Sequence, residues 1–157
     1  MSELVALEGT ASARGRRVGI IAARFNEFIV RSLLDGAVAA FAAAGGDTRS
    51  LLIARVPGAF ELPVAARAIA ASGRCEALVA LGCVIRGDTP HFDYVAGECA
   101  RGLQQVSIDT VVPVAFGVLT VENVEQALER AATGGANKGG EAMQTALQMA
   151  DLLARLR

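Results

Sequence analysis

The chain has 157 residues, 53% of them hydrophobic and 20% charged, with a formal net charge of −1. That length fits one compact domain over residues 1–157. The apolar fraction excludes disorder and exceeds what one small core needs, so some apolar surface is expected to face another subunit. The balance of 15 Lys+Arg against 16 Asp+Glu argues against nucleic acid as a partner.

The longest apolar runs, Ala37 to Ala44 and Ala77 to Leu81, fall far short of the roughly 20 residues that cross a bilayer, so no membrane partner is expected. Met1 to Thr10 carries Glu3 and Glu8 and lacks the basic start and apolar run of a secretory signal, which makes a cytoplasmic location the expectation. Cys75, Cys83 and Cys99 form no CxxC pair and leave an odd thiol, as suits a reducing compartment. His91 is the single histidine and cannot assemble the usual zinc set within one chain, so no metal is expected.

Short aliphatic runs alternate four times with helix-period segments. Residues 1–16 read as an extended N-terminal segment. Arg17 to Ala23 reads as a buried strand, followed from Asn26 by a helix with Phe28, Ile29, Leu33, Ala37, Val38 and Phe41 on its apolar face, ended by Gly45-Gly46. Thr48 to Val56 is a second strand, and Leu62 to Ala71 a short helix with Pro63 in its first turn. Ala77 to Ile85 is the third strand, followed by a helix from near Pro90 to about Ile108. Val112 to Leu119 is the fourth, with Pro113 near its start, where a missing donor matters least. Thr120 then reads as the N-cap of a helix over Val121 to Ala132, and a Gly-rich connector, Thr133 to Gly140, leads into a final helix from Glu141 to about Leu156. Parallel strands joined by crossover helices give a three-layer α/β/α sandwich around a four-stranded parallel sheet.

Ligands of such a sheet bind beyond the carboxyl ends of its strands, and the loops there hold the unusual residues. Thr89 followed by Pro90 reads as an N-cap with a first-turn proline, presenting free N–H groups, and Gly87 lets the backbone come close to a ligand; together they favour an anion such as phosphate. Asp88 is expected to contribute its N–H and turn its carboxylate away. His91, next along, is the one candidate side chain that ordinarily titrates near neutrality, which points to proton transfer, the alternative being a packed or capping residue. Phe25 reads equally as a ring that stacks on a flat heterocycle or as a core residue. Glu61 either accepts hydrogen bonds from hydroxyl groups or complements a helix dipole. Arg130 and Lys138, flanking the connector, suit an anion or a carbonyl oxygen, or else are solvated surface.

The blocks Phe25-Asn26, Val56-Pro57-Gly58-Ala59-Phe60-Glu61, Val84 to Tyr94 (VIRGDTPHFDY), and Leu119 to Asn123 leading on to Asn137-Lys138-Gly139 resemble the lumazine synthase family, in order and from about Arg17 to Met149. The resemblance implies a flavodoxin-like fold and a cofactor-free condensation of 5-amino-6-(D-ribitylamino)uracil with 3,4-dihydroxy-2-butanone 4-phosphate. The products are 6,7-dimethyl-8-ribityllumazine, phosphate and water, in the penultimate step of riboflavin biosynthesis. Carried over by position, His91 is the proton-transfer residue. Phe25, Asn26, Ala59, Phe60, Glu61, Phe116 and Lys138 surround the pyrimidine and ribityl chain, with backbone groups of Cys83, Val84 and Ile85 at the pyrimidine edge. Gly87, Asp88, Thr89 and Arg130 hold the phosphate. The resemblance also implies homopentamers with sites between adjacent subunits, in some members twelve pentamers closed into an icosahedral shell. A shell protein without catalysis, or a module that binds a flavin or pteridine, is the competing reading.

Overall fold

A computed structural model describes residues 4–157; the first three residues of the expected N-terminal segment lie outside the described residues. Four parallel strands, β1 (Val18–Ala23), β2 (Leu52–Val56), β3 (Ala77–Ile85) and β4 (Val114–Val121), lie in the order β2-β1-β3-β4. Between and after them come α1 (Glu27–Ala43), α2 (Leu62–Ser72), α3 (His91–Thr110), α4 (Val124–Arg130) and α5 (Lys138–Leu156). The result is a flavodoxin-like α/β sandwich.

Burial explains why the central strands read as unbroken apolar runs: all of β1 is buried, because helices cover both faces of the sheet. Val18, Ile20, Ala22, Val79 and Leu81 pack beneath α1 and α5 with Leu33, Phe41, Met143 and Leu147. Ile21, Ala23, Leu78 and Ala80, alternating with them, face α2 and α3 through Leu62, Ala66, Cys99 and Leu103. Residues 4–13 form neither helix nor strand; Thr10 is tied to α5 through the Asp151 carboxylate, which its N–H reaches at 2.9 Å.

Several boundaries differ from the sequence reading, each for a local reason. Thr48–Ser50 is a 3-10 turn rather than the start of the second strand, because Asp47 accepts from the Arg49 N–H at 3.0 Å and its carbonyl accepts from the Ser50 hydroxyl at 2.7 Å. The last strand runs two residues further than expected, since pairing with β3 continues to Ile85 opposite Val121. Thr120 therefore lies in β4, and Asn123 caps the short α4 by accepting from the Gln126 N–H at 2.9 Å. Pro90, not Thr89, occupies the N-cap position of α3; the Thr89 hydroxyl accepts from the His91 N–H at 3.4 Å. Gly139 and Gly140 are not connector: α5 starts at Lys138 because Asn137 caps it through the Gly140 N–H at 3.0 Å. Phe28, expected on the buried face of α1, is 77% exposed.

Candidate active site

Beyond the carboxyl ends of β1 and β3 lies a cavity of about 620 Å³. Phe25 and Asn26 reach it from the β1–α1 turn, and Gly58, Ala59, Phe60 and Glu61 from the short 3-10 turn that precedes α2. Cys83, Val84 and Ile85 enter on the end of β3. Gly87 and Thr89 come from the loop after it, and His91 from the first residue of α3. Phe92, Tyr94 and Val95 complete the wall; Tyr94 and Val95 stand three and four residues after His91, the spacing that puts helix residues on one side.

The turn that carries Phe25 is held by backbone and side chain together. Arg24 and Phe25 continue the pairing of β1 by donating to the carbonyls of Val56 and Pro57 at 2.8 and 2.9 Å. Asn26 then adopts a left-handed conformation (φ 59°, ψ 45°), which asparagine tolerates better than most residues, and its amide donates to the Cys83 carbonyl at 2.9 Å. The Phe25 ring is 71% exposed at the cavity, which removes the core alternative. Glu61 makes no side-chain hydrogen bond or ion pair among the described residues, and one carboxylate oxygen lies 3.4 Å from where a β-carbon on Gly58 would stand. Its acceptors are therefore open to hydroxyl donors in the cavity.

Arg86 anchors the loop that follows β3. Its backbone N–H bonds the Val121 carbonyl at 2.9 Å, its guanidinium reaches Glu122 at 2.8 Å, and it stacks over the Phe92 ring at 4.4 Å. Burial pushes the Cys83 thiol up to about 11, so at neutral pH the cavity meets a protonated, unreactive sulfur.

Phe116, Arg130 and Lys138 are elsewhere. They line a second cavity of about 460 Å³ along the open edge of β4, between the end of α4 and the start of α5, together with Thr120, Glu141 and Thr145. There Arg130 donates to the Gln126 carbonyl at 3.0 Å, and Lys138 pairs with Glu141 at 3.2 Å. Among the described residues none lines both cavities, and Asp88 lines neither. One chain thus brings Phe25, Glu61, Gly87, Thr89 and His91 together, and holds Arg130 and Lys138 apart from them. Glu141 and Thr145 lie one and two turns along α5 from Lys138 and were missed because the sequence reading started that helix three residues late.

Comparison with known protein families supplies the remaining observation: the family model for 6,7-dimethyl-8-ribityllumazine synthase matches residues 15–154, nearly the whole chain and every element lining either cavity. The chain therefore belongs to the 6,7-dimethyl-8-ribityllumazine synthase family, transferases of riboflavin biosynthesis.

Proposed function

We propose that the chain, as a single domain over residues 1–157, condenses 5-amino-6-(D-ribitylamino)uracil with 3,4-dihydroxy-2-butanone 4-phosphate to 6,7-dimethyl-8-ribityllumazine, releasing phosphate and water. The site is completed by a second copy of the chain. The observation that carries this reading is the division of the site residues between two cavities on one chain: His91, Phe25 and Glu61 in one, Arg130, Lys138 and Phe116 in the other. Apposition of the β4 edge of one copy to the 620 Å³ cavity of the next makes one complete site, and repetition of that head-to-tail contact closes a ring. A homopentamer is the ring we assign, with closure of pentamers into an icosahedral shell as a further step. Phe28, Ile53, Val64 and Phe116, between 45% and 77% exposed, are apolar surface for such contacts.

In this site Phe25 stacks on the pyrimidine while Ala59, Phe60 and Glu61 receive the ribityl chain, Glu61 by accepting from its hydroxyls. Asn26, Val84 and Ile85 face the pyrimidine edge, with Lys138 and Phe116 closing it from the neighbouring copy. Gly87, Asp88 and Thr89 offer backbone N–H groups at the start of α3 to the phosphate, and the partner copy's Arg130 clamps it. The amine attacks the ketone, water leaves to give an imine, phosphate is eliminated, and the ring closes by a second carbonyl addition followed by loss of a second water. Every step moves a proton, and His91, exposed at the cavity with no side-chain hydrogen bond among the described residues, is free to take and return it. Holding two substrates in near-attack geometry supplies several kcal/mol of the barrier lowering, up to roughly 7–11, so neither metal nor cofactor is invoked.

We place the reaction in the cytoplasm, on the strength of three free, buried cysteines. Among the described residues no helix is long and apolar enough to cross a membrane. The test is incubation of the purified protein with both substrates, following lumazine absorbance and fluorescence against the uncatalysed reaction. Acceleration far above background is expected. Tight product binding at background rate would instead make the chain a binding or shell protein.

A further inference from the structure

Asn137 is the one buried polar residue among the described residues, 8% exposed, and it sits at the end of the connector between the two cations of the second cavity. Its amide nitrogen donates to the carbonyl of Ala131, the residue after Arg130, at 2.9 Å, and to the carbonyl of Ser32 in α1 at 3.1 Å. Its amide oxygen accepts from the Gly140 N–H at 3.0 Å, capping the helix that begins with Lys138. One side chain thus fastens the end of α4, the start of α5 and the middle of α1. The packing is built around it: a β-carbon at Gly36 would fall on the Asn137 amide, and one at Gly139 would collide with the backbone of Leu33.

We propose that Asn137 is a positioning residue that fixes Arg130 for the phosphate of the substrate, acting through the Ala131 carbonyl. The inference rests on the reading of Arg130 given under Proposed function. Among the described residues the side chain of Arg130 is held by its own helix, through the Gln126 carbonyl at 3.0 Å and Glu129 at 3.9 Å, so its placement is that of the last turn of α4. That turn is short and leads straight into a connector with Gly134 and Gly135 in it, which supplies little restraint. Ala131 itself is packed in the core, and the Asn137 bond adds the polar restraint across the gap that ties it to α1.

The test uses Asn137→Ser, whose hydroxyl still caps α5 but cannot reach back to Ala131 and Ser32, in the assembled enzyme and in an Arg130→Ala background. The expected result is a rise of about tenfold in KM for the butanone phosphate, with KM for the ribitylaminouracil changed by less than about twofold. In the Arg130→Ala background the substitution should add nothing to the KM for the phosphate substrate, the signature of two residues acting as one unit. An equal rise in both KM values, or the same factor in both backgrounds, would overturn the proposal and leave Asn137 a structural residue. Asn137→Asp, which also keeps the cap and loses both donors, must show the same dependence on Arg130; failure of both variants to fold would assign Asn137 to folding alone. Wild-type protein that makes no lumazine would remove the functional reading and the inference with it, whereas an active wild type with additive effects removes the inference only.

Discussion

The side-chain amide of Asn26 donates to the backbone carbonyl of Cys83 at 2.9 Å, joining the turn after β1 to the end of β3 across the floor of the larger cavity. That bond orients the turn that carries Phe25 and engages the Cys83 carbonyl. Asn26→Gly keeps the left-handed conformation and loses the bond. A loss of about 1 kcal/mol in urea unfolding is expected, together with a higher KM for the ribitylaminouracil. Asn26→Asp, which sets a carboxylate against a carbonyl, should cost more in both.

His91→Ala should lower kcat on the order of 10²-fold. The ring is exposed and makes no hydrogen bond with another described residue, so the unfolding midpoint should stay unchanged. Turnover at the wild-type rate would remove His91 from the proton-transfer role.

Arg130→Ala should act on the other substrate. Loss of a charge-assisted contact to phosphate raises KM for the butanone phosphate by roughly ten- to hundredfold and leaves KM for the ribitylaminouracil near its wild-type value. Steady-state kinetics with each substrate varied in turn reads the split.

Much of this was legible in the sequence. Strand β3 and the start of helix α2 were legible to the residue, because an unbroken apolar run and a first-turn proline act locally. The loops of the larger cavity followed from topology alone, since ligands of a parallel sheet bind beyond its carboxyl ends. What was not legible depends on partners distant in the chain. The extent of β4 is set by pairing with β3 up to Val121, and the start of α5 by Asn137 seated against α1. The separation of Arg130 and Lys138 from His91 follows from the position of β4 at the sheet edge, which no local pattern encodes.

Burial raises the thiols of Cys83 and Cys99 to about 11 each. Native protein at pH 8 should therefore resist iodoacetamide at all three buried cysteines, and unfolded protein should be alkylated at each. Mass spectrometry counts the adducts. Rapid native labelling of Cys83 would mean an open thiol at the cavity.

Asp151 is held below its ordinary value of 3.8, first by the hydrogen bond from the Thr10 N–H and also by Arg155 and Arg16. A carboxyl depressed in the fold stabilises the folded state above its unfolded value, and the contribution disappears as pH falls through the folded one. Asp151→Asn should therefore unfold earlier than wild type at neutral pH, and the two unfolding curves should converge as pH falls below 3.8.

Complementation of two impaired variants distinguishes a site drawn from two copies of the chain from a site within one copy. His91→Ala and Arg130→Ala proteins, unfolded together in equal amounts and reassembled, are expected to form mixed rings. In about a quarter of the contacts an intact His91 faces an intact Arg130. Assayed at limiting butanone phosphate, the mixture should recover activity toward that fraction of wild type, far above either variant reassembled alone. A mixture no more active than the mean of the two parents would place His91 and Arg130 in the same chain's site and contradict the shared-site account.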